Sequence, residues 1–509
     1  MSSNNTERSV GSPFLRLNRP QYANMPEILV SSLTWGIVER ARDRESVSLK
    51  VDGNEEPYEA IAFDRYDISK PKNLRIGFTR PRQDTERWEK LVESLRSDLD
   101  IPAEQAKVAA EILLDDLRAL RPAKAKSYAA VPVSLGTSLL QDRSGLLRTP
   151  GPANYAAILE RMYVLGGGEG SASRKLVQLF GGEGETITPW LDDALEAGAP
   201  EFLAEAKKVI ISECEGPDVA VGGLQPLWLQ NESTPYAWFA RSWDMLCHDG
   251  WIERMPRRRW TDWAACILRN ALGLGFLFEM NLLRALALGV VTNEEAEAVA
   301  RAALSKSRPL LRWNDEARVS ERSVKEQIET TVIQGTASLS VLDKWIKQGC
   351  PRPAEFDDDS NGLANWIQNA RDWSAKQSTA SLEAQIAEAF ERSADDLRSS
   401  RGSSKNVRET VMYALTERSD APGSRDLYSL LRLRGRYHVI DPGQEWLVVL
   451  SSLSTGMGQG VARVADIDGA LRALCLRPGI TALVDRLEDA GLARGSHDAD
   501  EAIEVKAAF

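Results

Sequence analysis

Near the end of the chain, Ile467, Ala470, Leu471 and Leu474 recur at i, i+3, i+4 and i+7, and the same spacing returns in Ile480, Leu483, Val484 and Leu487. A period of this kind gathers the apolar side chains on one face of each of two short helices. Asp466 stands where it caps the first helix, a turn through 475–478 separates the two, and Gly491 stops the second where positive φ is wanted. Residues 492–494 and 503–509 then read as two strands around the polar turn 496–501, and 446–453 is a helix upstream of the pair.

Upstream, the patterning predicts mostly helices. The first 20 residues are expected to be loosely attached, and 28–42 is a helix. Short strands follow at 47–51, 58–63 and 74–79, the first two joined by the turn 53–57. Helices at 88–99 and 103–120 complete a small α+β domain over 1–122; in the second, Val108, Ala109, Ile112, Leu113 and Leu117 form the expected apolar stripe. A glycine-rich helical region over 123–223 holds helices at 155–165 and 171–179. A tryptophan-rich helical core spans 224–312, and a charged helical region spans 313–420. Helices are expected at 294–305, 320–348, 363–375, 382–397 and 407–418, with linkers at 399–405 and 420–424. The stretch 263–291 is the most hydrophobic, but Arg269, Glu279 and Arg284 interrupt it, so it reads as one or two core helices and not as a membrane span. The fold class is therefore mainly α and multi-domain, closed by the module over 421–509.

Residues 443–509 resemble the winged helix-turn-helix superfamily, most of all at Leu487-Glu-Asp-Ala-Gly-Leu492, where the second helix passes into a wing. The resemblance implies DNA contact or protein docking. In DNA-reading members the exposed face of the second helix carries Ser, Thr, Gln, Asn and Arg. Here the exposed candidates are Arg477, Gly479, Thr481, Asp485, Arg486, Glu488 and Asp489. From Ala462 onward nine acidic residues face six basic ones, a handicap for a surface meant to neutralise phosphate. Arg432, Arg434 and Arg436 compensate if they pack beside that helix. A separate run, Arg257, Arg258 and Arg259, stands at a helix start among aromatics, where cations are disfavoured unless they reach for a partner.

Composition narrows the function further. With 43% hydrophobic and 27% charged residues the chain is ordinary for a globular protein, and its formal net charge of -11 excludes a molecule that binds nucleic acid over its whole surface. Six of the 14 tryptophans lie in 228–263 and are expected to pack a core. The five cysteines are scattered without a CxxC pair, and with three histidines no structural zinc site is expected; unpaired thiols fit a reducing cytoplasm. Residues 1–10 lack the apolar core of a signal peptide.

Gly167-Gly-Glu-Gly170 recurs as Gly181-Gly-Glu-Gly184, but neither loop has phosphate-loop spacing, and both read as helix terminators. Asp357, Asp359, Asn361 and Gly362 match the first half of a calcium loop whose closing glutamate is replaced by Gln368, so an acidic loop capping the next helix is expected instead. No nucleophile–base motif is complete and no cofactor is implied. These features read as a non-catalytic DNA-binding or adaptor subunit of a cytoplasmic complex with other protein subunits. Composition is compatible with a bacterial origin, in genome maintenance or defence against phage and mobile elements. Two alternatives stay open: a kleisin-like scaffold bridging partner ATPases, which calls for a second winged helix near the N-terminus, and a nuclease built from dispersed carboxylates and a lysine.

Overall fold

The computed structural model describes residues 12–20, 25–49, 81–120, 129–140, 155–181, 189–199, 202–216, 218, 221–248, 250–305, 310–313, 323–418, 426–435, 437–455, 461–493 and 504–506. The first half of the chain forms α1 (Glu27–Leu49), α2 (Glu86–Asp98), α3 (Ala103–Asp116), α4 (Leu135–Leu140), α5 (Tyr155–Leu165), α6 (Ala172–Gly181), α7 (Pro189–Ala197) and α8 (Phe202–Glu215). The middle forms α9 (Pro235–His248), α10 (Trp251–Arg254), α11 (Arg257–Val291), α12 (Ala296–Leu304), β1 (Leu311–Arg312), α13 (Ser323–Lys347), α14 (Gly362–Ser374), α15 (Thr379–Arg398) and α16 (Gly402–Leu415). The C-terminal part runs β2 (Leu431–Arg434), β3 (Tyr437–Ile440), α17 (Gln444–Thr455), β4 (Val461–Arg463), α18 (Val464–Ala473), β5 (Leu476–Arg477), α19 (Ile480–Asp489) and β6 (Glu504–Lys506). The protein is mainly helical.

The hydrophobic stretch at 263–291 belongs to one helix, α11, 35 residues long. Apolar on nearly every side, it needs cover all round, and α1, α9, α12, α13, α14 and α16 supply it. Among the described residues it is the one helix long and apolar enough to cross a membrane, and 72% of its most apolar window is buried within the chain. Close packing depends on small residues: a Cβ at Gly335 of α13 would stand 2.5 Å from the Met280 Cα, so only glycine lets α13 approach. The tryptophans are core, as expected: Trp238, Trp243, Trp251, Trp260 and Trp263 are all buried. Trp243 and Trp260 donate their indole N–H to the carbonyls of Ala172 and Leu246. Buried apolar residues from Phe14 to Val505 join in one cluster to which all five sequence segments contribute.

Several sequence expectations are corrected. Val47–Leu49 does not begin a strand; it continues α1, and the strands at 58–63 and 74–79 with the turn 53–57 lie outside the described residues. A second winged helix near the N-terminus would have to use that same segment. Phe14, Leu15 and Leu17 are not loosely attached: they are buried, and the Arg161 guanidinium donates to the Leu15 carbonyl. The buried face of α3 is Ala106, Ala110 and Leu114, which leaves Val108 and Ile112 more than half exposed; alanines on the inner face allow α2 to approach closely. The linker at 399–405 shrinks to three residues. Ser400 takes a left-handed φ of 52°, the Arg401 and Ser400 amides close the end of α15 on the Asp396 and Leu397 carbonyls, and α16 starts at Gly402. The second linker, 420–424, lies outside the described residues.

The two charges that α11 carries into the core are handled differently. Arg269 is matched by Asp426 at 2.8 Å and also donates to the Ala414 and Thr416 carbonyls. Asp426 is shared with Arg418, which in turn holds Glu27 at 2.9 Å and the Leu120 carbonyl. Burial alone would raise Asp426, but the two guanidiniums outweigh it and hold the carboxyl down at about 2. Glu279 has no cationic partner among the described residues, and burial, against a smaller opposing effect of a hydrogen bond with Ser12, pushes it up to about 8.

Replacing Asp426 by alanine should cost about 3–5 kcal/mol in a urea titration, because Arg269 is left as an uncompensated buried charge. The stability this carboxylate provides is present above its ordinary value near 3.8 and is lost as pH falls toward about 2. Glu279 has the opposite sign: the folded state holds its proton, so its contribution falls as pH rises from about 4.5 to about 8. Glu279→Gln should therefore gain stability over the wild type when unfolding is measured at the alkaline end of that window, and not at the acid end.

Candidate interaction surface

The C-terminal module is built around the two apolar stripes found in the sequence. Ile467, Ala470, Leu471 and Leu474 are buried, as are Leu483, Val484 and Leu487, with Ile480 partly covered. Asp466 caps α18 from inside its first turn: its carboxylate accepts the Arg463 amide at 2.8 Å, while Arg463 is the capping position. Antiparallel β4 and β6 pair Ala462 with Val505, and Ala493 bridges Val505 from the other side, so β6 lies between the strand before α18 and the short segment after α19. Arg494 and the turn 496–501 lie outside the described residues. The turn between α18 and α19 is more than a connector. Cys475 takes a left-handed φ of 57°, and the following β5 pairs in parallel with β1, Leu476 opposite Leu311. This pairing fastens the module to the chain just before α13.

Arg432, Arg434 and Arg486 converge on one carboxylate. Asp441, just after the β2–β3 hairpin, accepts from Arg434 at 2.9 Å, Arg486 at 2.9 Å and Arg432 at 3.4 Å. Burial would raise Asp441, but hydrogen bonds from Arg434 and Arg486, with the charges of Arg486 and Arg432, hold it below its ordinary value. The Arg486 guanidinium also lies 5.9 Å from the ring centroid of the buried Trp313. Arg432 and Arg434 of the hairpin and Arg486 of α19 thus share one anion. Arg434 remains more than half exposed, Arg477 is exposed beside the start of α19, and Arg436 lies outside the described residues. Thr481 is exposed on the first turn of α19, together with Asp485, Glu488 and Asp489 further along.

The arginines of the second predicted patch have partners within the fold. Arg259 grips Glu445 of α17 with two bonds, at 2.8 and 3.0 Å, and Arg258 donates to the Asp116 carbonyl. Arg257 lies half-buried, 5.9 Å from the Phe180 ring centroid. Sequence reasoning missed Asp441 and Trp313. Neither sits in a periodic pattern, and only the pairing of β1 with β5 brings Trp313 to Arg486.

Other candidates resolve locally. The glycine loop 166–170 ends α5, and a Cβ at Gly166 would stand 2.0 Å from the Tyr236 carbonyl oxygen. The α6 N-terminus after it already has its anion, because the buried Glu160 carboxylate accepts the Ser171 hydroxyl at 2.6 Å and the Ala172 and Ser173 amides. Asp357 is held by Arg16 and by the Trp228 indole, and Asp359 accepts the Asn361 amide. Lys175 meets Asp244 at 2.6 Å beside the Tyr163 hydroxyl, whose proton both burial and Asp244 retain. Among the described residues no three His, Cys, Asp or Glu side chains gather where they could hold a metal.

No family model and no curated protein sequence matches the chain.

Asp441→Ala should loosen the hairpin from α19 without unfolding the core. Amide hydrogen exchange of Leu431–Arg434 and Tyr437–Ile440 should accelerate while that of α11 stays slow, and equal acceleration in both would show a global effect. Leu483→Ala should cost about 2–4 kcal/mol, read by denaturant titration, if the α19 stripe is packed as tightly as its burial indicates.

Proposed function

We propose that residues 443–509 form a winged-helix module that docks a protein partner, and that the chain is a non-catalytic adaptor subunit of a multi-protein complex. The order of helices and strands from α17 to β6, and the place of β6 between β4 and the segment after α19, support the module. One observation carries the function. The outward face of α19, the face a DNA-reading winged helix lays against the duplex, presents Thr481, Asp485, Glu488 and Asp489. The one arginine of α19, Arg486, is turned onto Asp441 and Trp313. Three carboxylates repel phosphate at the approach surface and suit a partner patch rich in lysine and arginine.

The test is a charge reversal. Tagged full-length protein, expressed in its own host, should retain a specific partner identifiable by mass spectrometry. D485K/E488K/D489K should reduce that retention about tenfold or more, whereas R432A/R434A/R477A should leave it intact. Undiminished retention by the reversal variant would overturn the reading.

A second reading, DNA contact through the hairpin, is favoured by the three guanidiniums around a single carboxylate and by exposed Arg477. It predicts gel-shift affinity that falls steeply with salt, with a slope that flattens by about one unit for each phosphate that R432A/R434A/R477A no longer neutralises. Absence of a shift at low salt would leave protein docking as the function of this surface.

A further inference from the structure

A cleft of about 600 Å³ opens between α13, α15 and the start of α16. Its volume falls in the range that holds a small organic ligand and is far more than one inorganic ion occupies. Its lining is unusual for such a cavity. Apolar side chains contribute only Leu339 and Ala389, and no aromatic ring is present on which a base could stack.

Cations stand at its rim: Arg19, Lys344, Lys347 and Arg392. Arg392 is engaged by Glu388 at 2.6 Å, but no ion pair among the described residues uses Arg19, Lys344 or Lys347. The cleft also takes in Gly402, Ser403 and Ser404, the first turn of a 14-residue helix whose capping residue, Arg401, offers its amides no side-chain acceptor.

The floor has the opposite polarity. Thr336 donates its hydroxyl to the Val332 carbonyl at 2.7 Å, so its contacts with Ser404 at 2.8 Å and Ser393 at 3.1 Å must be bonds that the serines donate. With their protons used, Ser393 and Ser404, which line the cavity, are left as acceptors. Asp343 and Asp396 in the walls are acceptors as well, Asp343 within the electrostatic reach of Lys347 and Arg19, so it marks the border between the cationic mouth and the acceptor floor. The cleft therefore offers positive charge at its mouth and several hydrogen-bond acceptors within. A ligand that satisfies both carries phosphate at one end and hydroxyl donors at the other.

We propose that this cleft binds a phosphorylated sugar or polyol, its phosphate held by Lys344, Lys347 and Arg19 and its hydroxyls donating to Ser393, Ser404 and the wall carboxylates. Lysine suits the first task as a mobile phosphate ligand, and carboxylates suit the second because they accept from neighbouring hydroxyls. The site is separate from the proposed docking surface and does not depend on that reading.

Isothermal titration of the full chain with ribose 5-phosphate, glucose 6-phosphate and inorganic phosphate tests it. At least one sugar phosphate should bind saturably at millimolar concentration or below, about tenfold or more tighter than inorganic phosphate. Lys344 and Lys347 are exposed, so K344A/K347A should keep the wild-type urea midpoint while losing about tenfold or more in sugar-phosphate affinity, and Arg19→Ala should weaken it in the same direction. Absence of saturable binding by both sugar phosphates, equal affinity for inorganic phosphate, or unchanged affinity in K344A/K347A would each overturn the proposal.

Discussion

Arg269 sits in the middle of the most hydrophobic helix of the chain, and the architecture is arranged around its charge. A guanidinium buried there without compensation would be intolerable, so the last turn of α16 and the chain after it meet it with the Ala414 and Thr416 carbonyls and the Asp426 carboxylate. Asp426 has a second guanidinium, Arg418, and Arg418 reaches Glu27 at the start of α1 and the Leu120 carbonyl beyond α3. Two cations and two anions close a neutral set whose members are separated by up to 391 positions in sequence. One residue further along α11, Asn270 accepts the Trp446 indole N–H at 3.1 Å, and near the helix start Arg259 holds Glu445. The orientation of α17, and with it the surface offered by α19, is thus fixed by polar contacts to the central helix.

What was legible in the sequence is what depends on near neighbours. The stripes of α18 and α19 need only a period of 3.6 residues, and α5, α6 and the helices from α11 to α17 follow the same rule, whereas no individual helix was expected at the positions of α7 to α10. The tryptophan belt was legible too, since so much apolar area is costly to expose. Polar residues were less legible because their roles are set by distant partners. Arg258 and Arg259 stand at a helix start, where cations look misplaced, yet a carbonyl 142 positions away and a carboxylate 186 positions away receive them. The stripe of α3 failed for a different reason: alanines do not stand out in a hydrophobic pattern, yet Ala106 and Ala110 are the residues that allow close contact. The two-residue pairing of β1 with β5 leaves no pattern at all, and it decides which aromatic ring Arg486 meets.

Electrostatics separates surfaces that composition alone would merge. A chain of net charge -11 has few cations to spare, and many of its arginines are spent inside the fold. Where cations remain grouped, they are of two kinds. Around Asp441 they are tethered and partly neutralised, an arrangement that stiffens the hairpin against α19 as much as it advertises charge. At the cleft, Lys344, Lys347 and Arg19 form no close ion pair among the described residues, although the Asp343 carboxylate lies within the electrostatic reach of Lys347 and Arg19.

The β2–β3 hairpin and the cleft both pack on α13. Near its start, Lys325 and Glu329 lie against the hairpin region: Glu329 accepts from Arg408, and the charges of Lys325 and Arg408, after burial, lower the His438 imidazole. Near its end, Lys344 and Lys347 form the rim of the cleft. The helix is 25 residues long, about 37 Å, and Gly335 at its middle is pressed against the backbone of α11. A continuous helix pinned at its centre holds the two surfaces in fixed relation. A ligand in the cleft would alter the proposed docking at α19 only by favouring one of two positions of α13 and, through it, of the hairpin, and the contact at Gly335 leaves little room for a second. The same packing that makes α13 a strut between the surfaces therefore makes them act independently.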